Sequence, residues 1–112
     1  LCTEATLKTK VYHQYFDKKY EFISPTKNLQ KSSVNKSIKY VKMGKVKEAE
    51  KVLRPAVNQL IKKKCKKIIL GCTELPIALF AYKSFKKAKD SKLFIDPNLL
   101  LAQVCMRKYK NN

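Results

Sequence analysis

One cysteine of this chain stands where acid–base chemistry is common. Cys72 lies in the run Leu-Gly-Cys-Thr-Glu at 70–74, after a β-branched stretch and shortly before Pro76, which can open a helix. In open α/β sheets, ligands bind beyond the carboxyl ends of the strands, where helices begin. A helix N-terminus can lower the pKa of a cysteine from its unperturbed value of about 8.5. The alternative is a small buried cysteine after a tight turn, and the spacing alone favours that alternative.

The start of the chain has a similar character. Residues 1–6 have the pattern of a strand end entering a helix, so Thr3 and Thr6 can either meet an anion or cap the helix, and local chemistry favours capping. No two of the four cysteines have the short spacing of a zinc site or a redox dithiol. We therefore expect no bound metal, a cytoplasmic location and four reduced thiols, at Cys2, Cys65, Cys72 and Cys105.

The positive charge bears on the kind of partner. Lysine and arginine number 26 against 8 acidic residues, which gives a formal net charge of +18. Nucleic-acid surfaces rely on arginine for bidentate contacts, yet only Arg54 and Arg107 are arginine. The lysines are spread along the chain, so we expect a solvated surface and no specific nucleic-acid partner. No apolar run approaches the ~20 residues of a membrane span, and residues 1–20 are too charged for a secretory signal.

Alternating helical and strand-like patterns predict a parallel α/β unit. Apolar spacing predicts helices at about 5–17, 34–43, 45–64, 76–83 and 97–110. Short apolar runs predict strands at about 20–23, 67–70 and 93–95, with a loop at 26–33. Gly44 is expected to end the second helix, and Pro55 to kink or split the third near Leu53 or Arg54. The fold class expected is α/β, a single three-layer lobe over residues 1–112 with a short parallel sheet flanked by helices.

Two further expectations concern the ends of the chain. Leu1 enters at what reads as a strand end, and the absence of an initial Met suggests a fragment or a processed start, with a first strand truncated or just upstream. Asp96 followed by Pro97 reads as a helix N-cap and first helical residue. The last helix is expected to turn its apolar residues toward the core, namely Leu100, Leu101, Val104 and Cys105.

Four motifs in order resemble the second lobe of the aspartate/glutamate racemases. The run Leu-Gly-Cys-Thr-Glu-Leu-Pro at 70–76 looks like the signature of that lobe. Thr-Glu-Ala-Thr at 3–6 resembles its opening threonine-rich turn, although Ala5 stands where glycine is usual. Residues 34–44 are similar to the stretch before the family's long helix, and residues 96–102 match its closing segment. The resemblance covers nearly the whole chain and implies a racemase-like fold.

This resemblance implies a two-base mechanism that interconverts L- and D-aspartate or glutamate without a cofactor. In such enzymes one thiolate removes the Cα proton and an opposite thiol delivers a proton to the other face. Cys72 would be the catalytic base or acid of this lobe. The substrate-binding residues implied by the same motifs are Thr73, Glu74, Thr3, Thr6 and Lys42. For Lys42, an ordinary solvated lysine is an equally good interpretation.

The chain departs from the family's pattern in one large respect. The Cys-Asn-Thr motif that carries the family's other cysteine is missing, and Cys2, Cys65 and Cys105 are not convincing replacements. His13, the single histidine, is expected on a helix surface. The resemblance thus implies that the chain is a C-terminal lobe, with the first lobe absent. As an isolated monomer, such a lobe would be inactive or incomplete. A homodimer or a missing N-terminal lobe would be its protein partner, and a small acidic amino acid its ligand.

Two other functions remain open at this point. A non-catalytic or vestigial domain could keep the fold and bind small acids, and a basic module could bind nucleic acid. Salt-dependent nucleic-acid affinity would favour the basic module. Exchange of the Cα proton of an acidic amino acid would favour the racemase, and binding without exchange the vestigial domain.

Overall fold

The computed structural model describes residues 1–81 and 92–112. The predicted fourth helix begins at Glu74, and its expected end at about Lys83 lies outside those residues. Within them, no helix is both long and apolar enough to cross a membrane. The elements are helices α1 (Glu4–Thr9), α2 (Lys27–Leu29), α3 (Lys36–Lys42), α4 (Val46–Lys62), α5 (Glu74–Phe80) and α6 (Pro97–Lys110), with strands β1 (Ile68–Ile69) and β2 (Phe94–Ile95).

The sheet is parallel and short. β1 pairs with β2 in a register that places Ile68 opposite Phe94 and Ile69 opposite Ile95. Both strands fall inside the predicted segments 67–70 and 93–95, so those two predictions are confirmed. The chain therefore has the predicted α/β class, with helices making up most of the described residues.

The first residue of the chain lies along the other edge of β1. The backbone nitrogen of Leu1 donates to the carbonyl of Ile69 at 2.8 Å, and Gly71 N–H donates to the carbonyl of Leu1 at 2.8 Å. This is the bonding pattern of a parallel pair. Cys2 and Cys72 therefore leave the same end of the sheet side by side, the end at which open α/β folds bind ligands.

The core lies where α3, α4 and α5 pack against one another and over β1. α4 presents an apolar stripe at helical spacing, and Leu53 and Val57 on it are fully buried. Burying one such side chain stabilises the fold by about 1.5–3 kcal/mol relative to leaving it exposed. The buried core residues are Val34, Ile38, Ala49, Leu53, Ala56, Val57, Leu60, Ile68, Leu70, Leu75, Ala78 and Leu79.

The first predicted helix is wrong beyond Thr9, and the first predicted strand is wrong altogether. α1 ends because Lys10 adopts the left-handed conformation, with φ of 50°. A 3-10 helix follows at Val11–Tyr15, and residues 20–23 pair with no other strand among the described residues. Phe22 stacks instead on His13, with ring centroids 4.0 Å apart. Aromatic packing thus holds this segment in place of strand pairing.

The predicted loop at 26–33 is helical. The Thr26 hydroxyl caps α2 by accepting from Leu29 N–H at 3.4 Å, and the helix continues through a π turn at Gln30–Asn35 into α3. The polar residues that suggested a loop include Gln30 and Ser33, which are buried. The Ser33 hydroxyl and the Gln30 side-chain nitrogen bond to backbone elsewhere, as when Gln30 Nε2 donates to the Cys2 carbonyl at 2.8 Å. Polarity alone therefore misidentified this segment.

Two predicted helix boundaries are confirmed. α3 ends at Lys42, and Gly44 follows with φ of 74°, the left-handed conformation that favours glycine. At α6, Asp96 is the N-cap: its carboxylate accepts from Asn98 N–H at 3.0 Å and from Leu99 N–H at 3.3 Å. Pro97 opens that helix, as predicted.

α4 is one continuous helix through Pro55, so the predicted split does not occur. Pro55 has no N–H to donate and its ring crowds the preceding turn. The Ser33 hydroxyl bonds to the backbone of α4 at this turn: it donates to the carbonyl of Val52 and accepts from Ala56 N–H at 3.3 Å. In a regular helix those two groups would bond to each other. Ser33 therefore adds two hydrogen bonds to the backbone of α4 in the turn that contains its proline.

Replacing Ser33 by alanine is expected to destabilise the chain by about 1–3 kcal/mol, since it removes the two hydrogen bonds of the buried hydroxyl to the backbone of α4. Urea unfolding followed by circular dichroism measures the change. Ser32→Ala is the matched control: Ser32 is exposed and donates only to the carbonyl of Asn28. Equal changes in the two variants would show that Ser33 does not support the proline turn.

The orientation predicted for the last helix is wrong. α6 contains no buried residue, and Leu100, Leu101 and Val104 are exposed by 50%, 63% and 40%. Cys105, expected in the core, is exposed as well. Within the described residues, the core is formed by α3, α4, α5 and β1, and no residue of α6 belongs to it.

Candidate active site

The site residues are held at the junction of β1 and α5. Gly71, Cys72 and Thr73 join the two elements, and the Leu75 N–H donates to the Cys72 carbonyl at 3.2 Å to close the turn. α5 is held against the core because its Leu75 is fully buried there. α3 packs beside α5 and brings Lys42, in its last turn, to the same place.

Glu74 is the centre of a small polar cluster. The Cys72 thiol donates to Glu74 Oε2 at 2.8 Å, and the Thr73 hydroxyl donates to the same oxygen at 2.9 Å. The Lys42 ammonium lies 3.9 Å from Glu74 Oε1. The structure thus brings together four of the predicted site residues, which we name the Glu74 cluster: Lys42, Cys72, Thr73 and Glu74.

The cluster raises the pKa of its thiol, whereas a helix N-terminus by itself would lower it. Burial raises the pKa of Cys72, and the hydrogen bond to the Glu74 carboxylate raises it further, while the Lys42 ammonium acts in the lowering direction. The thiol in turn lowers the pKa of Glu74 by donating to its carboxylate. The backbone N–H of Glu74, at the first residue of the seven-residue α5, acts to lower the pKa of Cys72, but burial and the hydrogen bond to the carboxylate act more strongly. Cys72 therefore rests as a thiol beside an ionised carboxylate.

Thr3 and Thr6 serve the start of α1. The Thr3 hydroxyl accepts from Thr6 N–H at 3.3 Å, and the two hydroxyl oxygens lie 3.1 Å apart. This is the capping role that local chemistry favoured. Within the described residues neither threonine is hydrogen-bonded to the Glu74 cluster, although both follow Leu1, which pairs with β1 directly before Cys72.

Tyr12 belongs to this site and the sequence did not single it out. A Cβ added to Gly71 would lie 2.9 Å from Tyr12 Cε2 and 3.1 Å from both the Tyr12 hydroxyl and the Cys2 Cβ. Burial raises the pKa of Tyr12, and the neighbouring Cys2 and Cys72 add to that rise. Its position at apolar helical spacing in 5–17 suggested only a core contact. The 3-10 turn is what brings its ring against Gly71.

Cys2 leaves the sheet beside Cys72, but within the described residues it makes no hydrogen bond to the Glu74 cluster. Cys2 is 7% exposed, and Cys65 is half-buried beside the lysines that follow α4. A groove of about 610 Å³ between the N-terminal segment and the β1 edge is lined by Cys2, Tyr12 and Cys65, but not by Cys72. Among the described residues, no second thiol is hydrogen-bonded to the cluster.

Comparison with known proteins gives one match. A family model described as Asp/Glu/Hydantoin racemase matches residues 1–105, which include the whole Glu74 cluster. No curated protein and no solved structure matches the chain.

Proposed function

Since this chain belongs to the Asp/Glu/hydantoin racemase family, we propose that it is one lobe of a cofactor-independent racemase of a small acidic amino acid, with Cys72 as its acid–base residue. The observation that carries the proposal is the hydrogen bond of the Cys72 thiol to Glu74, with Lys42 beside the carboxylate. These are a proton carrier, a proton acceptor and a cation, gathered at the end of the sheet where ligands bind.

When Cys72 protonates the substrate, it starts as a thiol and needs no earlier proton transfer. Its S–H bond breaks, the proton goes to the Cα carbanion of the substrate, and a thiolate remains. The Lys42 ammonium favours that thiolate, since it acts in the direction that lowers the pKa of Cys72. A positioned acid of this kind contributes about 10²–10⁴-fold to a proton-transfer rate.

In the deprotonating direction, the hydrogen bond to Glu74 supplies the first step. The Cys72 proton passes along that bond to Glu74 Oε2, which leaves a thiolate next to a neutral carboxylic acid. The thiolate then takes the Cα proton and becomes a thiol again. Glu74 is a positioning residue in this scheme, because it holds a proton without touching the substrate carbon.

Substrate carboxylates require donors or a cation at the mouth of the site. The Lys42 side chain is 67% exposed and is therefore free to reach a ligand, and Thr73 is exposed at the start of α5. Lysine is a strong point-charge partner for a carboxylate. Thr3 and Thr6 would contribute from the neighbouring turn, where their hydroxyls already face each other.

Racemisation also needs a proton carrier on the opposite face of the substrate. Cys72 serves one face only, so an N-terminal lobe or a second copy of this chain must supply the other. The isolated monomer is accordingly expected to exchange the Cα proton of one enantiomer with retention of configuration and to racemise poorly. A vestigial domain of the same fold would bind the acid without any exchange.

Protection from alkylation tests the proposed site. Aspartate or glutamate at millimolar concentration is expected to slow iodoacetamide labelling of Cys72 while leaving the exposed Cys105 unaffected. Peptide mass spectrometry follows both thiols in one sample, so Cys105 is an internal control. Equal rates with and without either amino acid would contradict the substrate class. Oligonucleotide binding with an affinity that falls steeply as the salt concentration rises would instead favour the basic nucleic-acid-binding module.

A further inference from the structure

Tyr12 carries a hydroxyl group that the proposed reaction does not use. The 3-10 helix Val11–Tyr15 sets its ring against Gly71, where an added Cβ would lie 2.9 Å from Tyr12 Cε2 and 3.1 Å from the hydroxyl oxygen. The hydroxyl end of the ring is therefore the end that meets the strand. Gly71 directly precedes Cys72, so the hydroxyl lies at the same end of β1 as the acid–base thiol.

This hydroxyl is a donor without an acceptor. Within the part of the chain that the structure describes, the Tyr12 hydroxyl makes no hydrogen bond. A tyrosine that is partly buried usually finds a partner for its O–H group. The Thr73 hydroxyl, by contrast, already donates to Glu74, and the Lys42 ammonium already lies beside the same carboxylate. Tyr12 therefore offers a ligand a donor that no described residue occupies.

The phenol is a donor and not a base at neutral pH. Burial raises the pKa of Tyr12, and the neighbouring Cys2 and Cys72 add to that rise. The hydroxyl therefore keeps its proton under conditions in which the carboxyl groups of an amino acid are ionised. Tyr12 and Cys72 are both half-buried, so neither side chain is closed off from solvent.

We propose that Tyr12 is a substrate-binding residue, whose hydroxyl donates a hydrogen bond to the α-carboxylate of the amino acid while Cys72 acts on Cα. This inference rests on the proposed function and adds a binding group to the same site. When the Cα–H bond breaks, the proton goes to the Cys72 thiolate and the electron pair spreads into the α-carboxylate. A fixed donor at that carboxylate binds more strongly as the negative charge grows, and it thereby speeds the reaction.

Tyr12→Phe tests the proposal, because it removes the hydroxyl and keeps the ring that packs on Gly71. The variant is expected to bind aspartate or glutamate about tenfold or more weakly, as measured by protection of Cys72 from alkylation. Its exchange of the Cα proton in D₂O should be slower by about 10²-fold. Tyr15→Phe is the matched control, since Tyr15 lies on the same 3-10 helix and is 80% exposed. Circular dichroism confirms that both variants are folded.

Two further readouts separate a binding hydroxyl from one that only supports the fold or the thiol. In protein labelled with ¹³C at the tyrosine Cζ atoms, aspartate or glutamate is expected to shift the Tyr12 signal and to leave the Tyr15 signal in place. The Tyr12 signal is identified by its loss in Tyr12→Phe. Without ligand, the pH midpoint of Cys72 alkylation should be the same in Tyr12→Phe and wild type.

The outcomes distinguish this inference from the proposed function. A Tyr12→Phe variant that binds and exchanges like wild type would overturn the role of Tyr12 and leave the proposed function intact. A displaced alkylation midpoint with unchanged affinity would also overturn it, because the hydroxyl would then act on the thiol. If wild-type chain exchanged neither enantiomer, the proposed function would fail, and the Tyr12 signal would still decide: a shift with either amino acid supports the binding role, and no shift overturns it.

Discussion

Replacing Glu74 by glutamine is expected to lower the pKa of Cys72 and to speed its alkylation at neutral pH several-fold. The carboxylate raises the thiol pKa because it accepts the S–H hydrogen bond and carries negative charge. Glutamine removes that charge and offers an amide donor to the thiolate. The rate of iodoacetamide labelling against pH gives the result directly, as a midpoint displaced to lower pH.

Lys42→Met is expected to raise the pKa of Cys72 and to slow its alkylation at neutral pH. The ammonium of Lys42 favours the Cys72 thiolate, so its loss displaces the alkylation midpoint to higher pH. Glu48→Gln removes a carboxylate from the exposed first turn of α4 and should change neither the pKa of Cys72 nor its alkylation rate. If Glu74→Gln left the Cys72 profile unchanged, the Glu74 cluster would not control this thiol.

Gly71→Ala is expected to destabilise the chain by about 1–3 kcal/mol, because the new methyl group overpacks the contact between β1 and the N-terminal turn. Its carbon would lie 2.9 Å from Tyr12 Cε2 and 3.1 Å from Cys2 Cβ, both closer than ordinary packing allows. Urea unfolding measures the loss. The displacement of Gly71 should also slow any reaction of the adjacent Cys72.

A double-mutant cycle isolates the contact with Tyr12. Gly71→Ala should cost less in a Tyr12→Leu background, since leucine lacks the ring atom that meets the new methyl group. Gly44→Ala is the matched control. An added Cβ at Gly44 meets nothing within 4 Å, so the cost there comes from its φ of 74° and should not depend on Tyr12. Identical coupling at the two glycines would refute the steric explanation.

The sequence predicted the part of the fold that local chemistry determines. The β-branched run before Gly71, the stop at Gly44 and the cap at Asp96 each rest on a single strong preference, and all are found in the structure. The grouping of Cys72 with Glu74 and Lys42 was implied by the motifs. The structure adds the hydrogen bonds that join them.

The errors arose where tertiary contacts override local pattern. Buried Ser33 looks like a loop residue until its bonds to α4 are known, and the contact of Tyr12 with Gly71 joins residues far apart in sequence, which local pattern does not indicate. Sequence position indicated a helix terminus, which can lower the pKa of Cys72, but not the burial and the neighbouring carboxylate that raise it. For α6, an apolar pattern indicated burial, but none of its residues is buried in the structure.

Exchange of the Cα proton in D₂O, followed by proton NMR on separate L- and D-enantiomers of aspartate and glutamate, tests the central claim most directly. Wild-type chain is expected to exchange one enantiomer with retention, Cys72→Ser to lose that exchange, and Cys105→Ser to keep it. Exchange that persists in Cys72→Ser, or no exchange of either enantiomer by the wild-type chain, would contradict the assignment of Cys72 as an acid–base residue.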